Sequence, residues 1–504
     1  MAKSFAGRES LQKERLRKNK VSRTIGLALT GIQICASLFF LVSLLVLGMI
    51  PAKYLAIAAG FLGILALITF IGQYLSKKRA ISGKIFSIVI SLLLFLGSFF
   101  ILKTNGAVVE ISGGNKKIDK IVVAVLLNDP AETIQDAADY NFGIQYALKG
   151  DEIRAAVDKI SDEVGQDIWT TECVSIQEQA ELLHAGVVNA IIYNEAYAGV
   201  IQDEFGDFNN NLKIIYSYEI ESEMNNKSSD IKVEDNSFTV YISGIDVYGA
   251  IETNSRSDVN ILAEVNPTTH QILLVTTPRD YYVELPGISG GMKDKLTHAG
   301  IYGVDVSMAA LDNLYDAETE FYARVNFTSL VQMVDALGGI DVYSEYEFTT
   351  SEESGVVMHV SQGYNHFNGE QALAFCRERM NVEGGDNTRG KNQQAVITAM
   401  IQKAISPAIL LGANELLNSV SGNVDTNMTQ KQIQELIKSQ LADPQPWKIK
   451  SMAAEGIADS QPCFSSGSQE LYVTQPGQES VDAIKDTLSA VENGEVFEDS
   501  AIAQ

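Results

Sequence analysis

"DVNILAEVNPTTHQILLVTTPRD", Asp258 to Asp280, decides the fold class. Two aliphatic-rich runs flank Asn266-Pro267, a pair that favours turns. The pattern predicts an antiparallel hairpin. Outward from it, "FTVYISGID" (Phe238–Asp246) and "FYARVNF" (Phe321–Phe327) read as further strands. "TSLVQMVDALGG" (Thr328–Gly339) has helical spacing and stops at a Gly-Gly pair, with strand "IDVYSEYEF" after it. "NGEQALAF" and "NTRGKNQQAVITAMIQKAI" predict a short and a long helix, and "ESVDAIKDTLSAV" a closing one. The expectation is an α/β domain over residues 238–494, a sheet with helices on its faces.

Residues 221–237, "ESEMNNKSSDIKVEDNS", are polar and read as a linker. Residues 116–220 alternate strand patterns such as "IDKIVVAVLLN" with helical ones such as "GDEIRAAVDKISDEV". They predict a small α/β accessory domain. It carries no catalytic constellation, so its expected role is accessory, with an envelope protein partner as one use. Residues 495–504 read as a loose tail.

Three uncharged apolar runs precede these domains: Ile25–Ile50, Tyr54–Leu75 and Ile85–Leu102, of 26, 22 and 18 residues. A bilayer core takes roughly 20 helical residues. Residues 24–102 therefore predict three transmembrane helices behind a basic arm, residues 1–23. Basic residues crowd that arm and the second connection (Lys77, Lys78, Arg79, Lys84), whereas the first connection has only Lys53. Positive loops stay cytoplasmic, so the N-terminus is expected on the cytoplasmic side of a plasma membrane and the later domains outside. Through Leu102 there are 13 Lys+Arg and 2 Asp+Glu, which leaves 25 basic against 61 acidic residues beyond it. Such an exterior repels nucleic acid. The four cysteines show no zinc-site spacing.

Against that acidity, "CRERMNVEGGDNTRG" (Cys376–Gly390) concentrates Arg377, Arg379 and Arg389. Residues two apart diverge on a helix and share a face on a strand. If Arg377 and Arg379 serve one site, they are expected at a strand end. Asp386, Asn387 and Thr388 are N-cap types, and Arg389 and Gln393 share a face at the positive end of the next helix. Converging arginine forks match phosphate oxygens. Asp246 and Asp258, at the ends of neighbouring strands, suit Mg²⁺, with Asp258 as a mere turn cap and Arg256 as its ion-pair partner the alternative. Arg279 and Asp280 add a fourth arginine and a carboxylate; a structural salt bridge is the alternative. His298 has no assigned role.

In order, "GID…SRSD…PRD…KLTHAGIYG…VNF…VDALGGIDV…NGEQALAFCRER…GDNTRGKNQQ" resembles the LytR–CpsA–Psr family of bacterial envelope proteins, and the three helices with the accessory segment look most like its CpsA-type, capsule-associated branch. The resemblance implies an α/β/α domain with a central mixed sheet and a tunnel for a polyprenyl lipid. It implies transfer of a glycopolymer from a polyprenyl-pyrophosphate carrier onto peptidoglycan. It also implies Mg²⁺ at Asp246 and Asp258, and pyrophosphate at Arg279, Arg377, Arg379, Arg389 and Gln393. Two positions depart from the family pattern: Tyr248 and Asn392 stand where arginines are common.

Three functions are expected from these readings. The first is a transferase in which Arg279, Arg377 and Arg379 stabilise charge and Asp280 or a metal-bound aspartate takes the proton. The second is a pyrophosphatase using the same site with water as acceptor. The third is an envelope-sensing regulator of transcriptional-attenuator type, whose only candidate DNA-binding segment is the basic arm.

Overall fold

The computed structural model describes residues 2–75, 80–111, 116–206, 208–223, 230–245, 251, 253–383, 386–404, 406 and 424–497. The chain divides into two compact units, one of residues 1–110 with 430–445 and one of residues 111–429 with 446–504.

The first unit holds α1 (Ala2–Leu47), α2 (Ala52–Leu75) and α3 (Ile81–Ile111). Among the described residues these are the three helices long and apolar enough to cross a membrane. Inside them the Gln33 carboxamide oxygen accepts from Thr69 Oγ1 at 3.1 Å and Ser87 Oγ at 2.9 Å, so one side chain ties all three together. Helix Gln430–Ala442, expected within the later α/β domain, also belongs here. Its last carbonyl accepts from Lys53 Nζ at 2.7 Å, and Gln430 donates to Asn105 at 3.1 Å.

Among the described residues the second unit contains one five-stranded and one six-stranded sheet, beside four two-stranded ones. The accessory sheet has β1 (Lys116–Leu126), β2 (Asn141–Ile144), β3 (Trp169–Glu172), β4 (Ala190–Asn194) and β5 (Leu212–Glu223) in the order β3-β2-β4-β1-β5. Because β5 runs to Glu223, residues 221–223, expected in the linker, are strand. The helices are α4 (Gly150–Val164), α5 (Ile176–His184) and α6 (Ala198–Glu204).

The main sheet is mixed and built on β6 (Phe238–Ile245), β7 (Ser257–Asn266) and β8 (Gln271–Thr276). β7 and β8 form the hairpin, registered Ile261↔Thr276 to Asn266↔Gln271. Its turn closes because the Asn266 side chain accepts from the backbone of Thr268 and Thr269, both at 3.1 Å. β6 pairs antiparallel with β7 and parallel with strand Phe321–Asn326, and strand Lys448–Ala453 lies parallel to β8. The carboxyl ends of β6, β8, Phe321–Asn326 and Lys448–Ala453 therefore meet the start of β7 at one end of the sheet, where α/β folds place their ligands. Near that end β6 and β7 pack closely: a Cβ on Gly244 would come 2.6 Å from Val259 Cγ2, and the register shifts by a bulge at Gly244/Ile245. A bulge bends its strand and re-aims the side chains beyond it. At the far end, Gln271 Nε2 donates to the Glu495 carbonyl at 2.9 Å and Phe497 packs on the core, so the start of the expected loose tail is anchored.

Accessory and main sheets share one apolar core, which runs from Val122, Tyr193 and Tyr197 to Tyr241, Leu262 and Tyr302. The Tyr197 hydroxyl donates to the Tyr302 hydroxyl at 2.6 Å.

Candidate functional site

A cavity of about 640 Å³ opens at that end of the main sheet. Its described lining includes five arginines: Arg256, Arg279, Arg377, Arg379 and Arg389. Gln393 and Asp258 also line it. Ile242, Val259, Leu330, Leu373, Val396 and Ile397 supply an apolar wall.

Asp258 is the second residue of β7. Its Oδ1 accepts from Arg279 Nη1 at 3.2 Å and Thr297 Oγ1 at 3.0 Å. Burial pushes its carboxyl up, but Arg279, Arg256, Arg389 and the Thr297 hydroxyl outweigh that and hold it below the usual carboxylate range. Asp258 is thus an ionised group facing concentrated positive charge. Asp246, the other expected metal ligand, lies outside the described residues, as does Tyr248. Among the described residues no group of three His, Cys, Asp or Glu could hold a metal. A magnesium ion that relied on substrate phosphates would need only one or two carboxylates, so an ionised Asp258 fits it.

Arg377 and Arg379 reach the cavity by a route other than the expected strand. Helix Gly369–Arg377 is started by a capping box, Asn368 with Gln371. Arg377 is its last residue, and Glu378 leaves the helix with φ −65° and ψ 127°. The rotation that would separate i and i+2 is therefore broken between the two arginines. Glu378 is fully buried. Its carboxylate accepts from the backbone N–H of Met380 at 2.8 Å, of Asn381 at 2.9 Å and of Ser351. Burial raises its pKa, and these N–H donors outweigh burial and lower it overall. The Arg377 guanidinium stacks over the Phe327 ring, 4.7 Å from its centroid.

Helix Asp386–Ala404 supplies Arg389 and Gln393. Asn392, between them in sequence, turns to the fold instead and donates to the Phe375 carbonyl at 3.2 Å. Gln394 donates to the Met452 carbonyl at 2.6 Å and fixes this helix on the sheet edge.

Asp280 does not join the described lining. It is 8% exposed, and Lys295 Nζ pairs with its Oδ1 at 3.1 Å while Arg279 Nε lies 3.6 Å from Oδ2. In that geometry it braces Arg279. His298 is buried against Asp294, 2.7 Å away, and Ser465. Burial pushes the Cys376 thiol up to about 12, so it supplies no thiolate nucleophile to the cavity it borders. The sequence offered Arg256 only as an alternative ion-pair partner of Asp258, and it gave no sign of Thr297 or of the accessory-domain residues of the lining, whose contacts bridge long stretches of chain.

A membrane-anchored α/β protein with an arginine-lined cavity beside an apolar wall is the class these features define. The chain belongs to the LytR_cpsA_psr family, whose profile matches residues 209–490. The polyisoprenyl-teichoic acid–peptidoglycan teichoic acid transferase TagU of Bacillus anthracis is 32% identical over 237 residues, 47% of this chain and 75% of that protein. TagU of Bacillus mycoides is 34% identical over 202 residues, 40% of this chain and 64% of that one. The crystal structure of B. subtilis TagV covers 51% of this chain and 98% of its own, with 24% identity and a TM-score of 0.43.

Proposed function

We propose that the protein is a membrane-anchored phosphotransferase. It moves a glycopolymer of capsule or teichoic-acid type from a polyprenyl-pyrophosphate carrier to a hydroxyl of a peptidoglycan sugar. The observation that carries this reading is one cavity joining five arginines to an apolar wall. The names of the TagU relatives support it. Arg279, Arg377, Arg379 and Arg389, with Gln393, bind the pyrophosphate, and the apolar wall takes the first isoprene units. The acceptor oxygen bonds to the phosphorus that bears the glycan. The bridging P–O bond breaks, polyprenyl phosphate leaves, and the hydroxyl proton is released. The arginines stabilise charge on the leaving phosphate. Asp258 and Asp246 would hold Mg²⁺, which would neutralise phosphate charge. The basic arm and second connection support a cytoplasmic N-terminus, with the catalytic domain outside.

The test uses full-length protein in vesicles with Mg²⁺ and a lipid-pyrophosphate glycan, with and without peptidoglycan. The expected products are peptidoglycan-linked glycan and polyprenyl phosphate. Arg377→Ala should lower the rate about 100-fold, the scale for losing one charge-stabilising donor, with an unchanged melting curve. Wild-type rates in that variant would remove the site assignment, and release of glycan phosphate into solution would indicate a hydrolase.

A further inference from the structure

The accessory domain reaches the cavity. Glu195, Ala196, Ala198, Gly199, Gln202 and Asn209 line it together with the main-sheet residues. The contact is built in at several points. Asn254, two residues before Arg256, donates its backbone N–H to the Ile118 carbonyl at 2.9 Å and its side-chain amide to Asp119 at 3.2 Å. Asp119, buried, also pairs with Lys149 and accepts from Asn194 at 3.0 Å. A Cβ on Gly199 would fall 2.5 Å from Arg256 Cζ, so that guanidinium lies against the bare Gly199 backbone. A side chain at position 199 would push the flexible end of Arg256 aside.

Three chemistries thus line one cavity. The arginines suit an anion and the aliphatic wall suits a hydrocarbon. The accessory edge is polar with its charge compensated: Glu195 pairs with Lys120 at 2.9 Å, and Asn209 Nδ2 donates to Gln202 Oε1. A carboxamide pair joined this way keeps a second donor, Gln202 Nε2, and a second acceptor, Asn209 Oδ1, for hydroxyl or acetamido groups. That wall fits neither a second phosphate nor a lipid.

Resting on the proposed function, we infer that the accessory edge is the sugar-reading wall of the site. It binds the neutral sugar ring adjoining the reacting phosphate, in the donor or in the acceptor. Its selectivity comes from Gln202 and Asn209, and Gly199 is a positioning residue for Arg256, whose charge in the same lining adds to that of the four arginines that hold the diphosphate.

The test measures binding to the full-length protein of three probes: undecorated polyprenyl diphosphate, the same lipid carrying one N-acetylhexosamine, and a soluble peptidoglycan disaccharide. In the Gln202→Ala/Asn209→Ala double variant a sugar-bearing probe should bind about tenfold more weakly, the loss of roughly one neutral hydrogen bond, while undecorated lipid binds as in wild type. Loss confined to the lipid-linked sugar assigns the wall to the donor, and loss confined to the disaccharide assigns it to the acceptor. Gly199→Leu should weaken both lipids by displacing Arg256. Wild-type affinity of the double variant for both sugar probes, or an equal loss for undecorated lipid, would overturn the inference, as would wild-type lipid affinity in Gly199→Leu. Failure of the wild type to bind either lipid would refute the pyrophosphate reading itself.

Discussion

Glu378→Gln tests how the arginine pair is held. The buried carboxylate accepts from three backbone N–H groups, those of Ser351, Met380 and Asn381, and from Ser354 Oγ at 3.3 Å. A glutamine keeps the shape but loses the charge. One of its two ends becomes an NH₂ facing existing donors. Hydrogen bonds to a charged acceptor contribute roughly 1.5–3 kcal/mol each and neutral ones about 1. Loss of one end and weakening of the other gives about 3 kcal/mol. The folded pKa is depressed from 4.5, so the stabilisation is present above that value and lost as pH falls through the folded pKa. The gap between wild type and variant should therefore be widest near neutral pH and narrow in acid. Both tryptophans, Trp169 and Trp447, lie in the second unit, so urea unfolding followed by their fluorescence reads the relevant body. Equal stability at neutral pH, or a gap that does not change with pH, would refute the reasoning.

Burial pushes Glu264 and Glu320 up, each to about 7 from 4.5. A raised carboxyl contributes stability below its unfolded pKa and loses it as pH rises through the folded one, so Glu264→Gln should flatten the fall in melting temperature between about pH 5 and 8. In the membrane unit, Gln33→Leu removes acceptance from Thr69 and Ser87, which at about 0.6 kcal/mol per bond should weaken helix association by about 1 kcal/mol in a detergent unfolding titration.

The hairpin was legible because its two aliphatic runs flank a turn that Asn266 closes through its own side chain. The membrane helices were legible from composition alone. Arg279, Arg377, Arg379, Arg389, Gln393 and Asp258 were singled out in sequence, and they line one cavity. The strand expected for Arg377 and Arg379 was wrong because spacing shows which residues share a face, not where a helix stops. Here it stops at Glu378, whose charge captures the next backbone N–H groups. The pairing of Asp280 was hidden for a similar reason: its partner Lys295 comes from a separate strand, Lys293–Lys295. The accessory edge was invisible because Gly199 meets Arg256 only in three dimensions.

The central claim is that the cavity binds a lipid pyrophosphate. The direct measurement is the affinity of the full-length protein for polyprenyl diphosphate and polyprenyl monophosphate, in wild type and in Arg377→Ala/Arg389→Ala. The account predicts tighter binding of the diphosphate by wild type and loss of that preference in the double variant. Equal affinity of wild type for the two lipids, or a preference that survives the double substitution, would contradict it.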